Sequence, residues 1–412
     1  MKRNFTKYFG PSTLVTAAFI GPGTVTVCTL AGVKSGYMLL WALLFSMVAT
    51  IILQEMSARL GLITQKGFGE AIRSEIKNPI YKVISTLLVL GAIVIGNAAY
   101  ESGNISGAAI GWEEMMLGVE INMNGFTIRL TPFLIGVVAF WLLFSGNFKR
   151  IQNFLVGLVV IMSAVFITTA IIINPSISDI LKGLFIPQAD AGQLLMVMAL
   201  VGTTVVPYNL FLHAATISEK YKESSEIHDL RIENAVAIIL GGLISMAIVI
   251  TSAAAFGGTG ADINNAADMA MQLEPLLGNW SAEFLGIGLF AAGISSAITA
   301  PLAAAYAANG ILGWNADLKN AKFRSVWMGI LLIGVVFSMI GFNPIQVIQF
   351  AQVANGILLP FVAIFLLYIM NRTDLLGSFA NNRLQNSLGI CVIVVAIIVG
   401  FRSLNTVFHF LQ

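Results

Sequence analysis

Two short runs carry residues whose types and spacing can do chemistry inside an otherwise apolar chain. Phe19-Ile20-Gly21-Pro22-Gly23-Thr24 lies in one membrane-length apolar stretch, and Thr203-Thr204-Val205-Val206-Pro207-Tyr208-Asn209 lies in another. Proline removes a backbone donor and clashes with the preceding turn, so each run breaks its helix near mid-depth. The freed N–H and C=O groups are tolerated there only when buried in protein or facing a wet cavity. Thr24, Thr26, Thr203, Thr204, Tyr208 and Asn209 set neutral oxygens beside them. Carbonyls, hydroxyls and helix ends of this kind hold a small ion or small solute reversibly. One Gly/Pro interruption is also an ordinary kink of a membrane helix. Two, in corresponding positions of two halves, are the best sequence pointer to the binding site of a membrane transporter.

The elements that must position these runs follow from composition. Of 412 residues, 57% are hydrophobic and only 10% charged, whereas a soluble domain carries about 25% charged residues. Repeated apolar runs of about 20 residues predict a helical bundle in a lipid bilayer, since barrels show weak alternating segments of about 10. Eleven spans are expected: residues 11–34, 36–60, 80–111, 132–145, 154–173, 191–217, 235–256, 280–307, 325–341, 345–370 and 388–410. Four further spans follow each break. The expected architecture is therefore an all-α integral membrane protein, one transmembrane domain over 1–412, with a five-plus-five inverted repeat (11–173 and 191–370) and an extra helix at 388–410.

Charge orients this arrangement. With the N-terminus inside, 18 of the 22 basic residues fall in inside segments; Lys34, Arg129, Lys182 and Arg402 are the exceptions. The positive-inside rule then makes the N-terminus cytoplasmic and the C-terminus external, in a membrane expected to be a bacterial plasma membrane. The first span lacks a cleavage site and reads as a retained helix. The longest inside stretch, Ser218 to Arg231, reads as a solvated linker; the longest outside, Gly257 to Asn279, has helical apolar spacing over Ala261–Leu277 that suits a surface-lying segment. Cys28 and Cys391 both read as small buried hydrophobes. No basic stripe for nucleic acid, Gly-rich phosphate loop, His-x-x-x-His pair or nucleophile–base set is found, so neither an enzyme nor a cofactor is expected. Nothing in the sequence points to an oligomeric state.

Particular motifs then become specific. Gly10-Pro11-Ser12-Thr13-Leu14-Val15, Gly21-Pro22-Gly23-Thr24, Gly36-Tyr37-Met38-Leu39-Leu40-Trp41 and Ser57-Ala58-Arg59-Leu60-Gly61 resemble the opening of the NRAMP family of divalent-metal transporters. Gly202 to His213 resembles its sixth helix, Ala291 to Ser296 its eighth, and Gln352-Val353 with Leu359-Pro360-Phe361 its tenth. The resemblance spans nearly the whole chain and implies a LeuT-like fold with broken first and sixth helices and proton-coupled metal uptake. It also implies the site: Ala18, Gly21, Pro22, Gly23, Thr24, Thr203, Val206, Pro207, Asn209 and Gln352 around the substrate, with Ala18, Thr24, Thr203 and Gln352 on a cation if one is bound.

The key positions nevertheless depart from the family. Gly21 stands where the family has aspartate, Thr24 where it has asparagine, Val206 where it has methionine, Tyr208 where it has histidine and Ile294 where it has glutamine. Loss of a soft thioether removes discrimination for transition metals. Loss of the carboxylate matters more, because desolvating a divalent ion costs at least several kcal/mol per charge. Glycines at a helix break also expose N–H groups suited to a substrate carboxylate.

Off the breaks, Glu101 and Asn104 in the third span, Tyr208, and His213 form the expected coupling set, with H⁺ as coupling ion; Glu101 aligns with an aspartate and Asn104 with a glutamate of the family's proton route. Glu55 and Arg59, four apart, read as a structural ion pair. The leading expectation is an ion-coupled secondary transporter of a divalent cation that binds transition metals poorly, Mg²⁺-like or weakly selective. The alternatives are a proton- or sodium-coupled transporter of a small amino or carboxylic acid, and a non-transporting sensor.

Overall fold

The computed structural model describes residues 20–408 apart from 124–125, 147–148, 258–260 and 315–318. Ala18 and the Gly10–Val15 motif lie outside the described residues. Within them a helix answers each of the eleven expected spans: α1 (Pro22–Ser35), α2 (Leu40–Thr64), α3 (Pro79–Met115), α4 (Thr131–Ser145), α5 (Lys149–Ile172), α6a (Leu194–Thr204) with α6b (Pro207–Lys220), α7 (Ile227–Phe256), α8 (Ser281–Leu312), α9 (Ala321–Met339), α10 (Pro344–Met370) and α11 (Arg383–Phe408). By length and composition nine helical stretches among the described residues can cross a membrane, and α4 is a shorter apolar one.

Proline starts these helices more often than it interrupts them. It occupies the first or second helical position of α1, α3, α4, α6b and α10. A missing N–H costs nothing there, because the first turn has no intrahelical acceptor for it. Asn78 and Asn343 complete two of these starts, their side-chain oxygens accepting from Ile80 N and Ile345 N at 2.9 Å. The short helix Phe68–Glu75 joins α2 to α3. At 37 residues α3 is about 55 Å long, more than a bilayer requires, and it forms the spine against which α8, α9 and α10 pack.

Ion pairs tie the basic side together. Glu55 holds Arg59 at 3.0 Å as its spacing predicts, and also Arg231 of α7 at 2.9 Å. Arg59 reaches Asn381 Oδ1 and the Phe379 carbonyl, so one buried guanidinium joins α2 to the connection between α10 and α11. Just past α6b, Tyr221 donates to Glu233 at 2.5 Å; burial first and then this carboxylate hold its hydroxyl well above the ordinary phenol range.

Three expectations are corrected. Cys28 is buried as expected, but Cys391 is exposed, because α11 lies at the periphery and turns one face outward. The Ala261–Leu277 segment is not a simple surface helix: short turns over 266–277 bury Ala266, Met269, Ala270, Gln272 and Leu273 against the bundle. The connection between α3 and α4 contains an antiparallel pair of strands, Glu120–Met123 with Phe126–Arg129, which the apolar-run reading does not resolve.

Candidate functional site

The two breaks lie side by side. Gly21 is extended (φ −89°, ψ 178°) and caps α1, its carbonyl accepting from Thr24 N and Val25 N. Val205 and Val206 lie outside the helical pattern between α6a and α6b, where Pro207 leaves the Thr203 carbonyl without its α-helical donor. Thr24 and Thr203, 179 residues apart in sequence, join hydroxyl to hydroxyl at 2.8 Å. α10 closes a third side. A Cβ on Gly23 would sit 2.2 Å from Gln352 Nε2, and one on Gly202 only 1.8 Å from the Gln352 carbonyl oxygen. α3 closes the fourth, since a Cβ on Gly107 would sit 2.1 Å from Pro22 Cβ. Glycine is required at Gly202 and Gly107, where backbone and a proline ring cannot yield, while at Gly23 the Gln352 side chain would have to move aside.

The space between these elements is buried and neutral. Thr24, Thr203, Asn209 and Gln352 are all at most 2% exposed. Thr26 Oγ1, Gln352 Oε1 and both amide atoms of Asn209 have no hydrogen-bond partner. Buried polar groups left this way mark a place for water, an ion or a ligand. Among the described residues no group of three His, Cys, Asp or Glu side chains is placed to hold a metal ion. The donors at hand are hydroxyl and amide oxygens, hard ligands of the kind Mg²⁺ and Ca²⁺ take, with water completing the shell. Val206 caps α6b with an aliphatic side chain and supplies no ligand atom.

Of the expected coupling set, Glu101, Asn104 and Tyr208 gather along α3, and His213 lies apart against α2. Glu101 is fully buried, accepts from Asn104 Nδ2 at 3.2 Å and leaves Oε1 unpartnered. It faces α9, where a Cβ on Gly334 would meet its side chain at 2.6 Å. Gly107, the α3 residue against Pro22, is six residues on, about 9 Å along the axis and about 120° around it. The Glu101 side chain is thus turned toward α9, on a different face of α3 from the Gly107 contact with Pro22. Tyr208 turns its ring edge onto Tyr100 of α3, centroids 5.3 Å apart, with its hydroxyl buried and unpartnered. His213 faces α2, where Nδ1 meets Gln54 Oε1 at 2.7 Å. Thr50 to the Thr204 carbonyl of α6a and Ser57 to the Leu210 carbonyl of α6b extend this polar seam between α2 and the two halves of the sixth helix.

Four buried polar residues escape the sequence reading. Gln54 partners His213. Asn97, three residues before Tyr100 on α3, leaves both amide atoms unpartnered, and Asn355, one turn beyond Gln352, leaves Nδ2 so. Each is an amide inside an apolar span, a signal as strong as those followed above. Gln272 is the fourth: from the turn Met271–Leu273 its amide donates to Thr29 Oγ1 at 2.9 Å and to the Met269 carbonyl at 2.7 Å, and accepts from Thr251 at 2.9 Å. It seals the acidic side of the breaks between α1 and α7.

Known proteins share this arrangement. The Nramp family, "Natural resistance-associated macrophage protein-like", matches residues 12–406. Among individual relatives, the divalent metal cation transporter MntH of Erwinia tasmaniensis is 26% identical over 401 residues, covering 94% of this chain and 91% of that protein. MntH of Klebsiella pneumoniae is 26% identical over 404 residues with the same coverage of 94% and 91%. Among solved structures, the Eremococcus coleocola manganese transporter superposes with a TM-score of 0.78 at 20% identity, covering 100% of this chain and 89% of the other. MhsT in complex with L-phenylalanine superposes with a TM-score of 0.61 at 15% identity, covering 96% and 97%. These two structures establish the fold, a LeuT-like bundle, in which the sixth helix is interrupted at Val205–Val206 and α1 starts at Pro22 among the described residues.

Proposed function

The chain belongs to the Nramp family, and on that premise we propose that it is a secondary transporter of a divalent metal cation whose site favours a hard, partly hydrated ion over a transition metal. One observation carries this reading. Thr24, Thr203 and Gln352 meet at the breaks, oxygen-bearing and uncharged, with no carboxylate or thioether among them. A divalent ion stripped of water there gains no anionic ligand to offset its lost hydration. Mg²⁺ keeps several waters in its sites and so suits the place best. Uptake by the purified protein in liposomes tests the reading. Flux of Mg²⁺ should exceed that of Mn²⁺ and be blocked by other divalent ions; flux of a small amino or carboxylic acid, blocked only by its analogues, would replace the metal reading by the acid one.

The alternative of an acid cargo keeps one specific support: the extended backbone at Gly21 leaves the first N–H groups of α1 at a positive helix end inside the bundle.

Coupling to protons is proposed to run through Glu101. Its carboxyl is fully buried, bonded to Asn104, packed on Gly334 and left with one oxygen unpartnered. An ionisable group of this kind inside a membrane span is functional by default. Glu101→Gln should flatten the dependence of uptake on an imposed pH gradient while leaving cation binding to the empty site within about twofold. Identical gradient dependence in parent and variant would remove Glu101 from the mechanism.

A further inference from the structure

We propose that Phe68 and Phe211 are the two jaws of a gate on the basic side of the breaks, separating them from a polar cavity of about 640 Å³. This rests on reading the breaks as the cargo site. The cavity lies between α6b, α8 and the short helix Phe68–Glu75, and Glu70, Lys82, Glu219 and Asn309 line it. Asn309 is fully buried with Oδ1 unpartnered, so the cavity lining is built for a polar content. Two phenyl rings, beside Tyr306 and Trp314, interrupt this polar lining. Phe68 and Phe211 line the cavity, their centroids 4.5 Å apart, and both are at most 2% exposed. Phe211 follows Pro207 by one helical turn, about 6 Å. The ring pair is therefore the thin apolar layer between the cavity and the second break.

The attachments of each ring show how the pair separates. The short helix is fastened to α8. A Cβ on Gly69 would lie 2.9 Å from both the Ala307 carbonyl oxygen and the Ile311 nitrogen, and Arg73 donates to the Leu312 and Ile311 carbonyls. Phe68 thus rides with α8. Phe211 belongs to α6b, whose attachments run to α2 through Ser57, Gln54 and the close approach of Gly61 to the Ala214 carbonyl. Phe211 thus rides with α2 and α6b. A rocking of one bundle against the other, as this class of fold uses, draws the rings apart and joins the cavity to the break. The rings meet by apolar packing within the core, their aromatic contact worth about 0.5–1.5 kcal/mol beyond burial, with no polar bond to break when they part.

Accessibility tests this without any cargo. In a Cys28→Ala, Cys391→Ala background, Tyr208→Cys reports on the layer behind the rings. A bulky charged maleimide applied to the purified protein should label that cysteine at least tenfold faster when Phe211→Ala or Phe68→Ala is added. Phe211→Leu, which keeps an apolar side chain, should label at an intermediate rate and stands in if the alanine variants do not fold. Phe290→Ala serves as the control, since that ring packs on Trp112 with centroids 5.6 Å apart, away from the cavity. Labelling unchanged by the jaw variants, or accelerated equally by Phe290→Ala, would overturn the gate. Because no cargo enters the measurement, a failed uptake assay would strike the substrate reading and leave the labelling result standing.

Discussion

The combined variant Gly21→Asp, Thr24→Asn and Val206→Met should bind Mn²⁺ at least about a hundredfold more tightly than the parent, roughly 2.7 kcal/mol. Each position lies at one of the two breaks. Gly21 caps α1, so a carboxylate there meets the positive end of a helix and an incoming cation together. Thr24 points across the gap at Thr203, so an amide there keeps an oxygen between the breaks. Val206 is buried where α6b starts, so a thioether there adds the soft ligand that separates Mn²⁺ from Mg²⁺. Isothermal calorimetry on purified protein gives the answer, and Tyr208 should stay in place to keep the comparison clean. A second signature should accompany the affinity: without metal the buried, unpaired carboxylate lowers thermal stability, and Mn²⁺ restores it by mass action. Binding no tighter than the parent's would show that these three positions do not converge on one ion.

Gly202→Ala should abolish transport and cost several kcal/mol of stability, the largest effect expected of a single methyl group in this chain. The added Cβ would lie 1.8 Å from the Gln352 carbonyl oxygen and 2.6 Å from the Gly356 nitrogen, both backbone atoms of α10. Backbone cannot rotate aside as a side chain can, so α10 must move away from α6a. Overpacking a well-filled interior typically costs about 1–3 kcal/mol, and more when main chain must shift. Gly91→Ala in α3 and Gly157→Ala in α5 are the controls. Neither added Cβ meets anything within 4 Å, and alanine favours helix over glycine by about 0.5–1 kcal/mol. Survival of the folded peak after heating, read by size-exclusion chromatography, should separate the three variants. Gly202→Ala surviving like the controls would refute the tight seating of α10 on the second break.

Much of this architecture can be read from residue types, and the reason is physical. A bilayer forces backbone groups to bond within helices, so apolar runs locate a helix in each of the eleven spans, with described ends shifted by up to eight residues, as at the start of α7; the start of the first span lies outside the described residues. Pro22 and Pro207 announce the breaks because a missing donor cannot be hidden at membrane depth. The Glu55–Arg59 pair follows from one turn of helix. What stays illegible depends on rotation and on contacts between distant segments. Glu101 has the composition of a site residue, but its angle on α3 turns it toward α9. Gln272 sits in a polar connection where nothing marks it for burial until α1 and α7 close around it. The strands between α3 and α4 are too short for periodicity to register, and Cys391 needs knowledge of which helix is outermost. The meeting of Thr24 with Thr203, central to the site, is inferable only once the two halves are known to face each other.

The seat of Gln272 has a consequence for opening on the acidic side of the breaks. Shut, this carboxamide has both hydrogens and its oxygen engaged, so the closed form wastes no polar valence. Pulled out, it strands the Thr29 hydroxyl and its own amide in a place that was dry, a penalty of about 1–3 kcal/mol for each group left bare, while Thr251 keeps the Ile248 carbonyl. Only water arriving in step with the parting helices can cancel that debt. Exposure toward the acidic face is thus tied to wetting: that side swells open with solvent or stays bolted, and osmolytes that withdraw water should favour the bolted form.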